Sequence, residues 1–280
     1  MSNTEQNKGR WDKTYDWQRG GDEWSADFGG TEALWFFILY PRIHRFIPAP
    51  TILEIAPGFG RWTQFLKAQC QSMTAVDISQ KCIDHCKSRF ASDPHVQFHL
   101  NDGTSLPMVP SNSVDFVFSF DSLVHVEKEV MEAYISQLAC KLTPDGIGFI
   151  HHSNLGAYPG RASLVKQFNR MPDSSRIQAS KDSRVKLAAN GLEALLSINL
   201  QANGGSTMTG KLFREYCQEA GLKCISQELL NWVKGSCLID SISVFTRANS
   251  RWTRDAAYLD NTKFVEVSRV SSQLAKLYCV

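Results

Sequence analysis

The chain has 280 residues, of which 43% are hydrophobic and 21% are charged, a composition that excludes disordered and collagen-like proteins. Its 30 basic and 28 acidic side chains leave a net charge of +2, too small for a protein that binds nucleic acid by neutralising phosphates. No apolar run reaches the length of a membrane span, and the first ten residues lack the apolar core of a signal peptide. We therefore expect a cytoplasmic protein that binds neither nucleic acid nor membrane.

The eight cysteines contain no CxxC pair. Cys82 and Cys86 are one helical turn apart, but a zinc site would need two further ligands and only His85 is close in sequence. We expect these side chains to be free thiols.

Residues 1–30 are polar but unusually rich in aromatic side chains, which does not suit a disordered tail. We predict that this segment is an arm that packs over another part of the molecule. Its aromatic residues are Trp11, Tyr15, Trp17, Trp24 and Phe28. The apolar positions in residues 31–46 predict a helix that is broken or ended near Pro41.

Short apolar segments alternate with helical ones from residue 51 onwards. β-branched and aromatic residues mark the apolar segments as buried strands, and the segments between them have the periodicity of helices. The predicted strands cover residues 51–56, 73–77, 96–100, 114–120 and 148–152, and the helices cover residues 61–70, 79–90 and 130–142. This alternation predicts an α/β fold with a parallel sheet and right-handed crossovers.

The regular alternation stops after residue 154. The Ser-, Asn- and Gly-rich residues 155–206, which include a predicted helix at 187–200, indicate an inserted substrate cap. The sheet domain, residues 31–154, resumes at 207–247 with one helix and two strands that close the sheet as an antiparallel hairpin. We predict a C-terminal helical tail at residues 248–280.

A glycine loop follows the first predicted strand and opens a helix. The strand delivers Glu54, and Gly58 and Gly60 let the backbone pass close to a ligand at a helix N-terminus. Asp77 ends the next strand, where an acid accepts both hydroxyls of a ribose, and Asp102 follows the third, where it can accept from an adenine amino group. Taken singly, each of these aspartates could equally be a residue that caps a helix or a turn.

Two nucleotide-binding folds compete for this pattern. A dinucleotide fingerprint requires a third small residue in the loop, and Thr63 is bulky. Glu54 also suits a cationic amino-acid end better than a pyrophosphate. The loop therefore favours an adenosyl-methionine site.

These features together resemble a class I S-adenosylmethionine-dependent methyltransferase. The resemblance rests on ExAxGxG at residues 54–60, Asp77, Asp102, VDFVFSF at 114–120 with Asp121 beyond it, and LTPDGIGFI at 142–150. It covers about residues 31–153 and resumes at 207–246. One departure is Ala56, which stands where many members have the first loop glycine; alanine is small enough to be tolerated there.

The resemblance implies a Rossmann-like, seven-stranded, mostly parallel sheet with helices on both faces and S-adenosylmethionine as cofactor. It assigns Glu54, Ala56, Gly58 and Gly60 to the methionine portion, Asp77 with Ile78 to the ribose, Asp102 with Gly103 to the adenine, and Ser119 and Phe120 to the floor beneath the sulfonium. The arm resembles the lid of methyltransferases that act on small molecules. We expect Tyr15 and Trp24 to close over cofactor or substrate, although core packing would also explain both rings.

Methyl transfer from a sulfonium is an in-line displacement that needs alignment and, for some acceptors, removal of a proton. Asp121 and His125 follow the fourth predicted strand, and His151 and His152 end the fifth. We expect His125 or His152 to be the general base, with Asp121 beside it, because imidazole titrates near neutral pH and adjacent strand residues face opposite ways. Asp121, His125, His152 and Asn154 are an alternative set for a divalent metal, but the usual carboxylate pair is missing, and we expect no metal.

The basic and hydroxyl side chains of the cap suit a small polar acceptor such as a sugar, a nucleotide-sugar, a phosphorylated metabolite or a natural product. We therefore expect O-methylation in a biosynthetic pathway. The alternatives are an N-methyltransferase on an amino sugar or amino-acid-like amine, an NAD-dependent oxidoreductase, and a nucleic-acid methyltransferase or silent binding module. A homodimer is compatible with the sequence.

Overall fold

The computed structural model describes residues 3–17, 19–158, 207–232 and 237–278. Most of the predicted inserted cap, including its helix at 187–200, lies outside these residues. The division of the chain into arm, sheet domain, cap and tail stays a prediction.

An eight-stranded sheet organises the described chain, with strand order β3-β2-β1-β4-β5-β7-β6-β8. Strand β7 runs antiparallel to both of its neighbours, and every other neighbouring pair is parallel. The strands are β1 Thr51–Ile55, β2 Ser72–Asp77, β3 Val96–Leu100, β4 Val114–Ser119, β5 Leu142–Ser153, β6 Leu222–Leu230, β7 Asp240–Arg247 and β8 Ala257–Asn261. The predicted α/β, mostly parallel, Rossmann-like sheet is confirmed.

The expectation of seven strands was wrong. The additional strand β8 lies in the tail, where only a helix was predicted, and pairs in parallel with β6 at the edge of the sheet. It is five residues long and four of them are exposed, so neither an apolar run nor alternating burial marks it as a strand. Residues 143–146 have the sequence Thr-Pro-Asp-Gly, which is typical of a turn, but they are part of the long strand β5.

Helices cover both faces of the sheet. They are α1 Asn3–Gly9, α2 Thr31–Leu34, α3 Tyr40–Ile43, α4 Thr63–Leu66, α5 Gln80–Arg89, α6 Lys128–Lys141, α7 Gly210–Glu219 and α8 Phe264–Tyr278. A π-helical turn, Trp35–Leu39, joins α2 to α3, so the predicted helix continues through Pro41, which lies at the start of α3. A π-helical turn Arg10–Thr14 and a 3-10 helix Asp22–Phe28 belong to the arm.

Two apolar cores lie on the two faces because successive strand side chains point to opposite sides. In β4, Phe118 packs into the core covered by α5 and α8, whereas Val117 packs into the core covered by α6 and α7. Both side chains are fully buried. Among the described residues, no helix combines the length and the apolar character that crossing a bilayer requires.

Candidate active site

A cleft of about 1000 Å³ opens at the carboxyl edge of the parallel strands. Its walls come from the loops that follow β1, β2, β3 and β4, and the N-terminal arm covers it. Ligands of open α/β sheets bind at this edge, because the loops there are free to diverge while the strands hold them rigidly.

The loop after β1 follows its tight path through left-handed backbone conformations. The φ angles of Ala56, Gly58 and Gly60 are +60°, +58° and +84°. A Cβ at Gly60 would lie 2.4 Å from the ring of Phe90, so only glycine fits that position. Ala56 holds its unfavourable angle while its N–H donates to the carbonyl of Val76 at 2.7 Å, and its side chain lines the cleft.

Asp77 joins the glycine loop to the start of α5. Its Oδ2 accepts from the N–H of Gly58 at 3.1 Å and its Oδ1 accepts from the N–H of Ser79 at 2.9 Å. The side chain is buried, lines the cleft beside Ile78, and burial raises its pKa to about 6. A carboxylate has about four acceptor positions, so this one keeps capacity for two hydroxyl donors.

Glu54 lies beneath the loop and outside the lining of the cleft. Its Oε2 accepts from the Thr63 hydroxyl at 2.5 Å, and among the described residues its Oε1 has no hydrogen-bond partner. Burial raises the pKa of this carboxyl to about 8. Thr63, the residue that argued against a dinucleotide loop, is therefore the one that holds Glu54.

This buried carboxyl makes stability depend on pH. The folded state holds a proton on Glu54 up to about pH 8, while the unfolded state releases it near the ordinary value of 4.5. Stability should therefore fall as pH rises, by about 2 kcal/mol between pH 6 and pH 8. The Glu54→Gln variant should lose this slope in urea unfolding measured at the two pH values. An equal slope in both proteins would contradict the assignment, and Glu266→Gln on the exposed side of α8 is the control.

The loop after β3 presents Gly103 and Asn101 to the cleft, and not the carboxylate of Asp102. Asp102 is exposed and accepts from the N–H groups of Thr104 and Ser105 at 2.8 and 2.6 Å. Burial alone would raise its pKa, but these and two hydroxyl bonds outweigh it and hold the pKa at about 2. Asp102 thus stabilises its own turn.

Ser119 and Phe120 lie behind the cleft wall. The Ser119 hydroxyl donates to the carbonyl of Ile55 at 2.9 Å, and the Phe120 ring packs edge-on against Trp62. The residues that follow them, Asp121 and Ser122, line the cleft instead.

The arm lies over the glycine loop with its tryptophans. Trp17 stacks on Phe59 with ring centroids 4.5 Å apart, and its ring approaches to 3.0 Å the position of a Cβ on Gly58. Trp11, Trp17 and Trp24 line the cleft. Tyr15 does not: it stacks on Trp24 and donates to Glu23 at 2.6 Å.

Asp12 and Ser25 tie the arm to the sheet domain. Asp12 accepts from the Ser79 hydroxyl at 2.6 Å, and the backbone N–H of the same serine donates to Asp77. Ser25 accepts from Arg61 at 3.4 Å. The arm is thus attached to the loops after β1 and β2, which carry the glycines and Asp77.

His125 and Asp121 line the cleft on the side of β4. His125 is buried, its ring lies 5.6 Å from the Trp11 ring, and its carbonyl accepts from Asn7 at 3.1 Å. Asp121 has a φ of +61° and pairs with Arg61 at 2.8 Å, with both side chains less than a tenth exposed.

His152 faces away from the cleft. Its ring stacks on Phe213 of α7 at 4.4 Å, and its two nitrogens lie 2.9 Å from the Ser153 carbonyl and the Ser243 hydroxyl. Burial lowers its pKa to about 4. The expectation that His152 is a candidate base is therefore withdrawn, because the strand turns its side chain into the core beside α7.

His151 points to the other face of the sheet. It packs between Phe120 and Trp232, and its Nδ1 accepts from the N–H of Asp121 at 3.2 Å. Burial lowers its pKa well below the ordinary value.

The four groups of the alternative metal site are not brought together. The amide of Asn154 donates to the Leu238 carbonyl and accepts from the Gly210 N–H, while His152 packs against α7. Asp121 and His125 remain at the cleft. Among the described residues, no group of three or more His, Cys, Asp and Glu side chains has the arrangement of a metal site.

Several cleft residues had no individual role in the sequence analysis: Asn7, Trp11, Trp17, Arg61, Asn101 and Tyr134. Asn101 follows β3 directly and donates to the Tyr134 hydroxyl at 2.9 Å. Its position at a strand end was the available signal. Nothing in the local sequence indicated that Tyr134, in the middle of α6, reaches the cleft.

Comparison with known proteins identifies the type of domain. Residues 52–146 match the family model of the methyltransferase domain. No curated protein sequence matches the chain.

Solved structures with the same fold include two methyltransferases by title, and the protein PKMT2. Magnesium protoporphyrin IX methyltransferase from Synechocystis, with bound SAH, is 13% identical, with 88% of this chain and 100% of that chain covered and a TM-score of 0.54. The N-methyltransferase NodS from Bradyrhizobium japonicum, in complex with SAH, is 14% identical, with coverages of 88% and 99% and a TM-score of 0.51. PKMT2 from Rickettsia typhi, in complex with AdoHcy, is 12% identical, with a TM-score of 0.56.

The alignment with PKMT2 covers 73% of this chain and 51% of PKMT2, which is about half the length of that protein. The strand order, the cleft at the carboxyl edge and the methyltransferase-domain match agree with one another. Residues 52–146 therefore match a methyltransferase domain, and together with the shared fold this supports an S-adenosylmethionine-dependent methyltransferase.

Proposed function

We propose that the enzyme transfers the methyl group to a hydroxyl of a small polar acceptor, with His125 as the general base. The observation that carries the proposal is the position of His125, which is the only histidine among the described residues lining the cleft. Acceptor classes that fit are a sugar, a nucleotide-sugar, a phosphorylated metabolite and a natural product.

The residues present fit the cofactor in two ways. The glycine loop lines the cleft without a side chain at Gly58, and the buried Asp77 carboxylate has free acceptor capacity beside it. We propose that Ala56 and Gly58 contact the methionine portion, that Asp77 and Ile78 hold the ribose, and that Gly103 with Asn101 contacts the adenine.

Glu54, Gly60, Ser119 and Phe120 then act from behind the wall, by supporting the loops. Among the described residues the Oε1 of Glu54 has no hydrogen-bond partner, and this free acceptor beneath the loop suits a cationic amino group. Trp24 contacts the bound molecules directly, and Tyr15 supports Trp24 through their stacked rings.

S-adenosylmethionine supplies an electrophilic methyl group on a positively charged sulfur. The chain's own residues must align the acceptor with that methyl group and take the proton of the hydroxyl. A neutral imidazole performs this proton transfer well at neutral pH, and such catalysis typically contributes 10²-fold or more. From the side of the arm, the Trp11 ring contacts the His125 ring and the Asn7 amide donates to the His125 backbone carbonyl.

The cover over the cleft supports a small acceptor. The arm places three tryptophan rings over the site and is bonded to the sheet domain at Ser79 and Arg61. Such a cover excludes water from a reacting sulfonium and leaves little room for a large polymer. A net charge of +2 also gives little attraction for nucleic acid.

Turnover with panels of hydroxyl and amine acceptors tests the proposal. For the best hydroxyl acceptor, His125→Ala should lower kcat by about 10²-fold, because the base is lost, while the dissociation constant of S-adenosylhomocysteine stays within about threefold. The acid limb of the wild-type pH profile should disappear in the variant. His44→Ala, an exposed histidine away from the cleft, is the matched control.

Methylation of amines alone would contradict the proposal and favour the N-methyltransferase alternative. NodS, a neighbour in fold, is an N-methyltransferase by its title. In that case His125→Ala should lose little activity, because a deprotonated amine needs no base. A hydroxyl product formed at an unchanged rate by His125→Ala would exclude His125 as the base.

A further inference from the structure

His151 of β5 is bonded to the wall of the cleft but does not line it. Its ring is fully buried between Phe120 and Trp232, with centroid distances of 4.7 and 4.9 Å. Its Nδ1 accepts from the backbone N–H of Asp121 at 3.2 Å, and Asp121 is part of the lining of the cleft. His151 therefore contacts the site through the backbone of another residue.

This hydrogen bond decides which nitrogen of His151 carries the proton. A nitrogen that accepts from an N–H has no proton of its own, so a neutral imidazole must carry its proton on Nε2. Burial lowers the pKa of His151 well below its ordinary value, which keeps the ring neutral. Among the described residues, the buried Nε2 has no hydrogen-bond partner.

Asp240 supplies the group that lies beside this nitrogen. It is the first residue of β7, and its Oδ2 lies 3.8 Å from Nε2 of His151, so a shift of about 1 Å would form a hydrogen bond. Asp240 is opposite Ser153 in the register of β5 and β7, and Ile242 is opposite His151, so His151 and Asp240 are diagonal neighbours on one face of the sheet. Burial raises the pKa of Asp240 well above its ordinary value, and the uncharged carboxyl still has an acceptor oxygen for Nε2–H.

The backbone that His151 bonds is unfavourable by itself and leads to the candidate base. Asp121 has a φ of +61°, an angle that residues other than glycine keep only where their surroundings hold them. The 3-10 helix Leu123–His125 begins two residues later. The bond to the Asp121 N–H therefore fixes the point at which the chain leaves β4 for His125.

We propose that His151 and Asp240 are positioning residues for methyl transfer, an inference that rests on the proposed function of His125 as the base. Asp240 keeps the proton of His151 on Nε2. Nδ1 then accepts from the N–H of Asp121, and this bond holds the loop that presents His125 to the acceptor. His151 does not take the proton of the acceptor itself, because its Nδ1 is occupied. A displacement of about 1 Å at a reacting group can cost about 10²-fold in rate.

The position of the proton can be measured without turnover. In protein labelled with ¹⁵N-histidine, the long-range ¹H–¹⁵N spectrum distinguishes the two neutral tautomers of imidazole, and the signals that are absent from His151→Asn belong to His151. We expect the Nε2–H tautomer at about pH 7 in the wild-type protein. The Nδ1–H tautomer or a protonated ring would overturn the proposal, whether or not His125 is the base.

Two replacements of His151 separate positioning from packing. Phe keeps the volume of the ring but has no acceptor, whereas Asn has a side-chain carbonyl at roughly the position of Nδ1 but leaves part of the space empty. His151→Phe should lower kcat about tenfold or more, and His151→Asn should stay within about threefold of wild type. Both should bind S-adenosylhomocysteine within about threefold of wild type. A packing role gives the opposite order of kcat, and that order would overturn the proposal.

The pH profile separates this proposal from the proposed function. If His125 is the base, His151→Phe should keep the acid limb of the wild-type profile at a lower kcat, because the titrating group is still present. Loss of the limb in His151→Phe would make His151 the base and would overturn the positioning role. A limb that persists in His125→Ala would instead contradict the proposed function.

A double-variant cycle tests Asp240. Asp240→Leu removes the acceptor beside Nε2 and should lower kcat by about threefold to tenfold. The double variant with His151→Phe should lose no more than His151→Phe alone, because both residues act through the same bond. Losses that multiply would overturn the role of Asp240. His152→Phe, which replaces the neighbouring histidine on the opposite face of β5, is the control and should keep kcat within about threefold of wild type.

Discussion

Replacement of Asp77 by Asn should weaken the binding of S-adenosylhomocysteine by about 10²- to 10³-fold. Hydrogen bonds to a charged group contribute about 1.5 to 3 kcal/mol each, and two ribose hydroxyls would donate to this carboxylate. Asn keeps one carbonyl acceptor for the backbone of Gly58 or Ser79, so the loop should stay folded. Isothermal titration calorimetry with the unreactive product measures the loss directly.

The pH dependence of the same binding provides a second measurement. The pKa of Asp77 is about 6 without ligand, so this carboxyl is increasingly protonated below pH 6 and loses its strength as an acceptor. Affinity should therefore fall by about tenfold per pH unit below that value in the wild-type protein. The Asp77→Asn variant should show no such fall.

Asp115 offers a matched control for Asp77. It is also a strand aspartate that accepts from a backbone N–H, that of Thr51 at 3.0 Å, but it lies at the opposite edge of the sheet. Asp115→Asn should bind S-adenosylhomocysteine as the wild-type protein does. Equal affinity in Asp77→Asn and wild type would remove Asp77 from the binding site.

Replacement of Arg61 by Met should lower the free energy of unfolding by about 3 to 5 kcal/mol. The guanidinium and the Asp121 carboxylate are 2.8 Å apart, and their side chains are only 8% and 6% exposed. Removal of one partner leaves a buried charge without compensation, and this penalty exceeds the loss of the pair itself. Urea unfolding followed by tryptophan fluorescence measures the change.

A double variant separates the penalty of the unpaired charge from the lost packing. Arg61→Met with Asp121→Asn should recover most of the stability, because no uncompensated charge remains. Lys67 and Asp93 form a comparable pair at 2.7 Å, but the lysine side chain is 30% exposed. Lys67→Met should therefore lose no more than about 1 kcal/mol. A similar loss of unfolding free energy in Arg61→Met and Lys67→Met would show that burial of the Arg61–Asp121 pair adds no penalty for an unpaired charge.

The Arg61–Asp121 pair also connects the arm to the loop that carries His125. Arg61 donates to Ser25 of the arm, and the backbone of Asp121 donates to His151. Asp121 lies four residues before His125 on the loop after β4. The arm, the glycine loop and the loop that carries His125 are therefore held by one set of buried polar contacts.

The predicted site shows how far strand ends can be read from sequence. The segment MTAVD places Asp77 at the carboxyl edge of a buried strand, and the structure finds it at the cleft. Asp102 has the same relation to β3 but turns into its own loop, because Thr104 and Ser105 offer it four nearby donors. Sequence locates the strand end, whereas local hydrogen bonding decides where the side chain points.

The two adjacent histidines show a second limit. Strand geometry alone predicts that His151 and His152 point to opposite faces. The described lining of the cleft includes neither ring. Each ring packs instead against an aromatic residue that is distant in sequence, His151 against Trp232 and His152 against Phe213.

The sequence by itself determined the class of fold, the positions of the first five strands along the chain, the glycine loop and the acid at the end of β2. These features depend on local periodicity and on short-range backbone requirements, which neighbouring residues specify. Only the tertiary structure decided that residues 257–261 form an edge strand, that His125 lies at the cleft, and that Asp240 lies beside His151. Each of these depends on which distant segment packs against the element, and the local pattern does not contain that information.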